Sequence, residues 1–291
     1  MPPAIRPRRS ALYMPASNPR AVEKARDLDC DIVILDLEDA VLPDSKAAAR
    51  TAACAAVVGG GFGRREVAIR VNAADTPWGA DDLTAAALAG PDAILVPKVR
   101  GPADIDAYER AMIAAPARTR LWAMIETVQS MFALDAVAGA GQGRLAGFAM
   151  GINDLAREMG ARQTADRLPF HAAMSMAVMA ARAHDLFILD GVHNEIDDLA
   201  ALEAVCRQGV EFGFDGKTLI HPSHLAICNR AFSPESREVA WGRAVIAAFD
   251  APENAGRGAL RVDGRLAERL HRDQAVKLVA IAEAIAAGSG G

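Results

Sequence analysis

Five short apolar runs in this chain each stop at charged residues: DIVILDLEDA (31–40), EVAIRVN (66–72), AILVPK (93–98), LWAMIET (121–127) and GFAMGINDL (147–155). Such runs are too short for buried helices and suit strands covered on both faces. The charges fall where those strands end. In a parallel α/β sheet or barrel, that edge is where chemistry is done.

Ala-rich amphipathic stretches alternate with the runs. SNPRAVEKARDL opens with Ser17 and Asn18 as candidate caps and a proline near the first helical position. DSKAAARTAACAAVV, PADIDAYERAMIAA, VQSMFALDAVAG and DRLPFHAAMSMAVMAARAHD read as further helices. Strand-like segments fall near residues 10–14, 31–36, 66–71, 93–97, 121–125, 147–151, 186–190 and 210–214, the last within GVEFGFDGK. Strict alternation predicts parallel strands joined by right-handed crossovers. Eight units in about 220 residues fit a (β/α)8 TIM barrel, whose usual size is ~250 residues. A doubly wound open sheet competes, but neither GGGFG (59–63) nor GAGQG (139–143) completes a G-x-G-x-x-G turn. The expected division is a catalytic barrel over residues 1–230 and a C-terminal helical extension over 231–291 that caps a barrel mouth or reaches a neighbouring subunit. The closing GSGG reads as a frayed end.

A hydrophobic fraction of 52% and a charged fraction of 24% are those of a globular protein with a substantial core. The net charge of −5 offers no electrostatic reason for a nucleic acid or an anionic membrane as partner. No run approaches the ~20 apolar residues of a membrane helix. MPPAIRPRRS has positive charge but no apolar segment after it, so no signal peptide is expected. Cys30, Cys54, Cys206 and Cys228 are far apart and form no zinc pattern, which suits structural thiols of a reducing, cytoplasmic compartment.

On this strand assignment Asp36, Glu38, Asp39, Arg70, Lys98, Glu126 and Asp154 share one rim. So many carboxylates repel unless a cation or shared protons lie among them. Glu126 and Asp154, on successive strands, suit one Mg²⁺, which needs one or two protein carboxylates and takes its other oxygens from water and substrate. The bland reading is that such acids cap the following helices. Arg70 lies inside an apolar strand, where an unpaired guanidinium is very costly. It either pairs with the rim acids or grips a substrate carboxylate or oxyanion. Lys98 is less suited to Schiff-base chemistry, since the metal pair already supplies an electron sink. His221 and His224, one turn apart in IHPSH, read first as capping or hydrogen-bonding groups, and His193 is a candidate pocket residue.

RSALYMPASNP, VILDLEDAV, AIRVN, ILVPK, MIET, GINDLA and FDGKTLIHPSH occur in the order seen in the HpcH/HpaI aldolase superfamily. More narrowly, from about Arg9 to Gln274 the chain resembles the citrate lyase beta subunit and its malyl-CoA and citramalyl-CoA lyase relatives. The resemblance implies a (β/α)8 barrel, Mg²⁺, an acyl-CoA substrate and a homotrimer or hexamer. It matches Glu126 and Asp154 to metal ligands, and Arg70 to the arginine that holds substrate and enolate oxygen. Glu38 and Asp39 match acids that order metal-bound waters. Tyr13 and Lys24 match coenzyme A contacts, with Asn18 standing where those enzymes carry an arginine. Ile220 and His221 match a substrate-lining pair. In VDGRLAERLH, Glu268 stands where malyl-CoA lyases carry an aspartate that reaches a neighbouring subunit's site.

The implied reaction is Mg²⁺-dependent cleavage of a 3-hydroxyacyl-CoA into acetyl-CoA and an α-keto acid through an enolate. Two alternatives use the same residues: a CoA-independent hydroxy-acid aldolase releasing pyruvate, and a non-autonomous beta subunit of a citrate lyase-type complex. Thioester hydrolysis after cleavage is a further possibility.

Overall fold

The structure, a computed structural model, describes residues 6–288. MPPAI of the N-terminal segment and the last three residues of the closing GSGG lie outside the described residues. Arg8–Phe232 form one compact unit, and the described residues from Ser233 onward belong to a second.

In the first unit, eight parallel strands close on themselves: β1 (Ser10–Pro15), β2 (Ile32–Asp36), β3 (Glu66–Arg70), β4 (Ala93–Val96), β5 (Arg120–Ile125), β6 (Leu145–Met150), β7 (Phe187–Asp190) and β8 (Gly216–Leu219). β8 pairs back to β1, so no edge remains. The helices between and after them are α1 (Pro19–Ala25), α2 (Lys46–Gly59), α3 (Gly79–Ala89), α4 (Pro102–Ala111), α5 (Val128–Met131), α6 (Leu134–Ala138), α7 (Ile152–Met159), α8 (His171–Ala183), α9 (Leu199–Phe212) and α10 (Leu225–Ala231). This is the expected (β/α)8 barrel.

Alternation along the strands divides the core in two. Ile32, Ile34, Leu95, Trp122, Met124, Phe187 and Leu189 point inward and fill the barrel, with Trp122 and Phe187 edge-to-face at 5.0 Å. Val33, Leu35, Ile69, Ile94 and Ile188 point outward against the helices. Burying each of these side chains contributes roughly 1.5–3 kcal/mol, which forces the short apolar runs. The register puts Asp36 opposite Arg70 and Ile125 opposite Met150, so the residues following each strand gather at one rim.

The eighth strand differs from the expectation at 210–214. Val210–Phe212 are the last turn of α9, which Gly213 ends in the left-handed region at φ 92°. The strand itself is GKTL, and a buried lysine disguises it. Lys217 is fully buried with its Nζ 2.9 Å from Asp190 Oδ2, and Arg167 Nη1 pairs the other oxygen of that carboxylate, Oδ1, at 2.7 Å.

The second unit contains α11 (Ser236–Asp250), a hairpin of β9 (Ala259–Val262) and β10 (Arg265–Glu268), and α12 (Arg269–Gly288). Val245, Phe249, Leu260, Val262, Ala267 and Ala275 form its core. GALRVDG therefore opens a hairpin, and Glu268 ends a strand where a helix was expected. Among the described residues, no helix is long and apolar enough to cross a membrane. All four cysteines are free, three of them buried.

Candidate active site

Arg70, the last residue of β3, sits in a cage of acids. Its Nε and Nη2 donate to the two oxygens of Asp36 at 2.6 and 2.7 Å, a bidentate grip that fixes the guanidinium plane. Asp36 is fully buried, and its oxygens also accept the backbone N–H groups of Glu38 and Ala40. Burial works against its charge, yet Arg70 and these N–H groups hold it below the usual carboxylate range. The Arg70 cation also lies 4.6 Å from the Tyr13 ring centroid.

The third guanidinium nitrogen has looser company. Nη1 reaches Asp39 Oδ2 at 3.4 Å and Met124 Sδ at 3.7 Å. Glu38 Oε2 is 2.7 Å away but not aligned for a hydrogen bond, and it has no other partner. Burial pushes Glu38 up to about 8; Arg70 opposes the rise, and Asp39 and Glu126 add to it. The site thus presents a fixed cation edge beside a carboxyl group poised to exchange a proton near neutral pH.

Lys46 anchors the loop that carries these acids. Its buried Nζ donates to the carbonyls of Leu37 and Glu38 at 2.8 and 2.7 Å, and to Asn72 Oδ1 at 2.7 Å. Asn72 donates in turn to Leu37 O and to Asp82 Oδ2. Sequence reading missed Lys46 and Asp82. Both sit in helices that look like ordinary solvated surface.

Across the rim, Glu126 follows β5 and Asp154 lies in the first turn of α7. Lys98, after β4, joins them: Nζ is 3.2 Å from Glu126 Oε1 and 2.7 Å from Asp154 Oδ2. The Lys98 backbone N–H also donates to Glu126 Oε1 at 2.8 Å. Arg157 pairs the other Asp154 oxygen at 2.5 Å. Glu126 is fully buried and its Oε2 has no hydrogen-bond partner. Burial raises its pKa, Asp154 adds to the rise, and Lys98 opposes it. Gly151 makes room for this carboxylate, since a Cβ there would stand 2.4 Å from Oε2 and 2.5 Å from the Glu126 Cβ.

An unpartnered buried carboxylate oxygen next to a second carboxylate fits a hard cation. Among the described residues no group of three or more His, Cys, Asp or Glu forms a closed metal cage. Two oxygen ligands suit Mg²⁺, which keeps several positions for water and substrate.

The other expected residues make none of the hydrogen bonds or ion pairs of these two clusters. Lys24 is exposed on α1, which Asn18 caps by accepting the Ala21 N–H. Ile220 is 40% exposed after β8. His221 is exposed and caps a short turn through Ser223, so the capping account holds for it. His224 is buried against Ile196 O. Glu268 is exposed in the second unit, where its N–H donates to His271 Nδ1. A cavity of about 260 Å³ between α3 and α4, lined by Leu83, Tyr108 and Ala111 among others, borders the Lys98 side chain.

Residues 9–222 match the family described as HpcH/HpaI aldolase/citrate lyase. The chain is 47% identical over 281 residues to (3S)-malyl-CoA thioesterase of Cereibacter sphaeroides, spanning 97% of this chain and 96% of that relative. It is 33% identical over 313 residues, 98% of each chain, to L-malyl-CoA/beta-methylmalyl-CoA lyase of the same species. CitE of Mycobacterium tuberculosis, solved with magnesium, acetoacetate and coenzyme A, superposes with a TM-score of 0.75 at 28% identity, covering 94% of this chain and 97% of that one.

Proposed function

Because the chain belongs to the HpcH/HpaI aldolase/citrate lyase family and is an enzyme of that family, we propose that it hydrolyses a malyl-CoA-type thioester with Mg²⁺ held by Glu126 and Asp154. The observation that carries the choice of reaction is the full-length 47% identity to (3S)-malyl-CoA thioesterase. The orphaned Glu126 oxygen supports the metal assignment, as does magnesium in the related CitE structure.

Bound there, Mg²⁺ supplies positive charge for the oxygens of the hydroxy-acid part of the substrate. Arg70 does the rest of the electrostatic work. Asp36 fixes its plane, so the loosely partnered Nη1 edge is ready for an oxyanion without reorganising. Water adds to the thioester carbonyl carbon and gives its proton to Glu38 while Nη1 holds the oxyanion. Collapse breaks the C–S bond, and Glu38 returns the proton to the CoA thiolate. Tyr13 and Lys24 are proposed to contact CoA, Ile220 and His221 to line the substrate, and Asp39 to order water with Glu38. A homotrimer or hexamer, a cytoplasmic location, a capping role for the extension after residue 230 and a catalytic role for Glu268 are proposals that rest on the resemblance and on composition.

Carbon–carbon cleavage, the reaction expected from the sequence, is the second reading, favoured by the full-length match to the malyl-CoA/beta-methylmalyl-CoA lyase. Incubating the purified protein with malyl-CoA and Mg²⁺ separates the two. Hydrolysis yields malate and free CoA; cleavage yields glyoxylate and acetyl-CoA. Glyoxylate appearing in step with substrate loss would reverse the preference.

A further inference from the structure

Lys98 ends the AILVPK run at φ 54°, a left-handed conformation that a residue with a side chain adopts only at a cost. That turn aims its N–H at Glu126 Oε1, while Nζ stands 3.2 Å from the same oxygen and 2.7 Å from Asp154 Oδ2. Glu126 Oε1 is therefore doubly committed, and both Asp154 oxygens carry cationic partners. Only Oε2 of Glu126 is left over. An ammonium so close to both carboxylates neutralises part of the charge that attracts a divalent ion, and it repels that ion at short range.

Resting on the assignment of Glu126 and Asp154 as the cation's ligands, we propose that the Lys98 ammonium is a built-in counter-ion that competes with Mg²⁺ for this carboxylate pair and holds its affinity down. Lys98 is then a positioning residue with two effects. It keeps two buried carboxylates tolerable at one rim, and it sets how firmly the metal is held. Neutralising it strengthens metal binding, the opposite of what damage to a structural residue does.

The test is calorimetric titration of Mg²⁺ into the EDTA-stripped full chain. Lys98→Met keeps the unbranched stem that borders the cavity and removes the charge. Lys98→Gln is a second neutral variant should the first fold poorly, Lys98→Arg keeps the charge, and Glu126→Gln removes a ligand. The expected result is at least tenfold tighter Mg²⁺ binding in the neutral variants, near wild-type binding in Lys98→Arg, and at least tenfold weaker binding in Glu126→Gln. Both neutral variants should melt below wild type in EDTA and regain more stability on adding Mg²⁺. Unchanged or weaker binding in the neutral variants overturns the counter-ion role if Glu126→Gln still loses the metal. If Glu126→Gln binds like wild type, or no variant binds at all, the ligand assignment falls and the counter-ion role falls with it.

Discussion

Replacing Gly151 with alanine adds one methyl group at the point where the structure leaves least room. The new Cβ would stand 2.4 Å from Glu126 Oε2 and 2.5 Å from the Glu126 Cβ. Carbon atoms normally pack at about 3.5–4.0 Å, so Glu126 or the Gly151 backbone must retreat by about 1 Å. Overpacking of this kind costs about 1–3 kcal/mol. In a domain of this size that is a fall in Tm on the order of 5 °C, readable by thermal denaturation in EDTA. The larger consequence is chemical. Moving one of the two carboxylates proposed as ligands by about 1 Å should weaken Mg²⁺ binding at least tenfold, or about 1.4 kcal/mol. Gly191→Ala is the control: its Cβ would crowd Ile152 Cγ1 at 2.8 Å and Met150 O at 3.0 Å, neither of them an acid side chain. It should lower Tm while leaving Mg²⁺ affinity within about twofold on the same reasoning. If Gly151→Ala melts like wild type and binds Mg²⁺ as well, the geometry assigned to Glu126 is wrong. Equal loss of metal in the control points instead to general disruption.

Arg70→Ala strands the fully buried Asp36 and should cost about 3–5 kcal/mol of stability by urea denaturation, together with turnover of the CoA thioester; a variant that turns over at the wild-type rate removes the oxyanion role. Glu38 bears on pH. Its folded pKa of about 8 exceeds the ordinary 4.5, so in EDTA the folded state holds an extra proton between those values. Its contribution to stability therefore falls as pH rises from about 5 to 8, by on the order of 3 kcal/mol. Glu38→Gln should gain Tm relative to wild type across that window, and a difference independent of pH contradicts the assignment. Asp190→Ala leaves Lys217 and Arg167 without their shared carboxylate and should cost about 3–5 kcal/mol while sparing Mg²⁺ affinity. A loss of metal binding there shows that the two regions are not independent.

The barrel was legible because strands covered on both faces must be apolar and must stop abruptly. That constraint exposes Asp36, Arg70, Glu126 and Asp154 as punctuation at strand ends. The β8 strand escaped this pattern because its buried Lys217 is paired by Asp190, and a scan for apolar residues cannot see a partner far away in the chain. Lys46 was hidden for a related reason: it acts through the reach of its long side chain, which sequence position does not encode. For Lys98 the rim position was legible but not its pairing with Glu126 and Asp154. The helix-capping reading fails for Asp36: the two N–H groups it accepts, of Glu38 and Ala40, lie in the loop between β2 and α2, so it braces that loop while it grips Arg70. Gly151 is visible as a glycine, but only the neighbouring carboxylate explains it. The hairpin carrying Glu268 was lost in a stretch where a helical pattern follows too closely to separate.

Isotope-resolved product analysis tests the central claim most directly. The protein is incubated with malyl-CoA and Mg²⁺ in ¹⁸O-labelled water, and the products are weighed by mass spectrometry. Hydrolysis at the rim places one labelled oxygen in the new carboxylate of malate and releases free CoA, and it requires Arg70, Glu126 and Asp154. Acetyl-CoA with glyoxylate in place of labelled malate, or labelled malate formed undiminished by the Arg70 and Glu126 variants, contradicts the account.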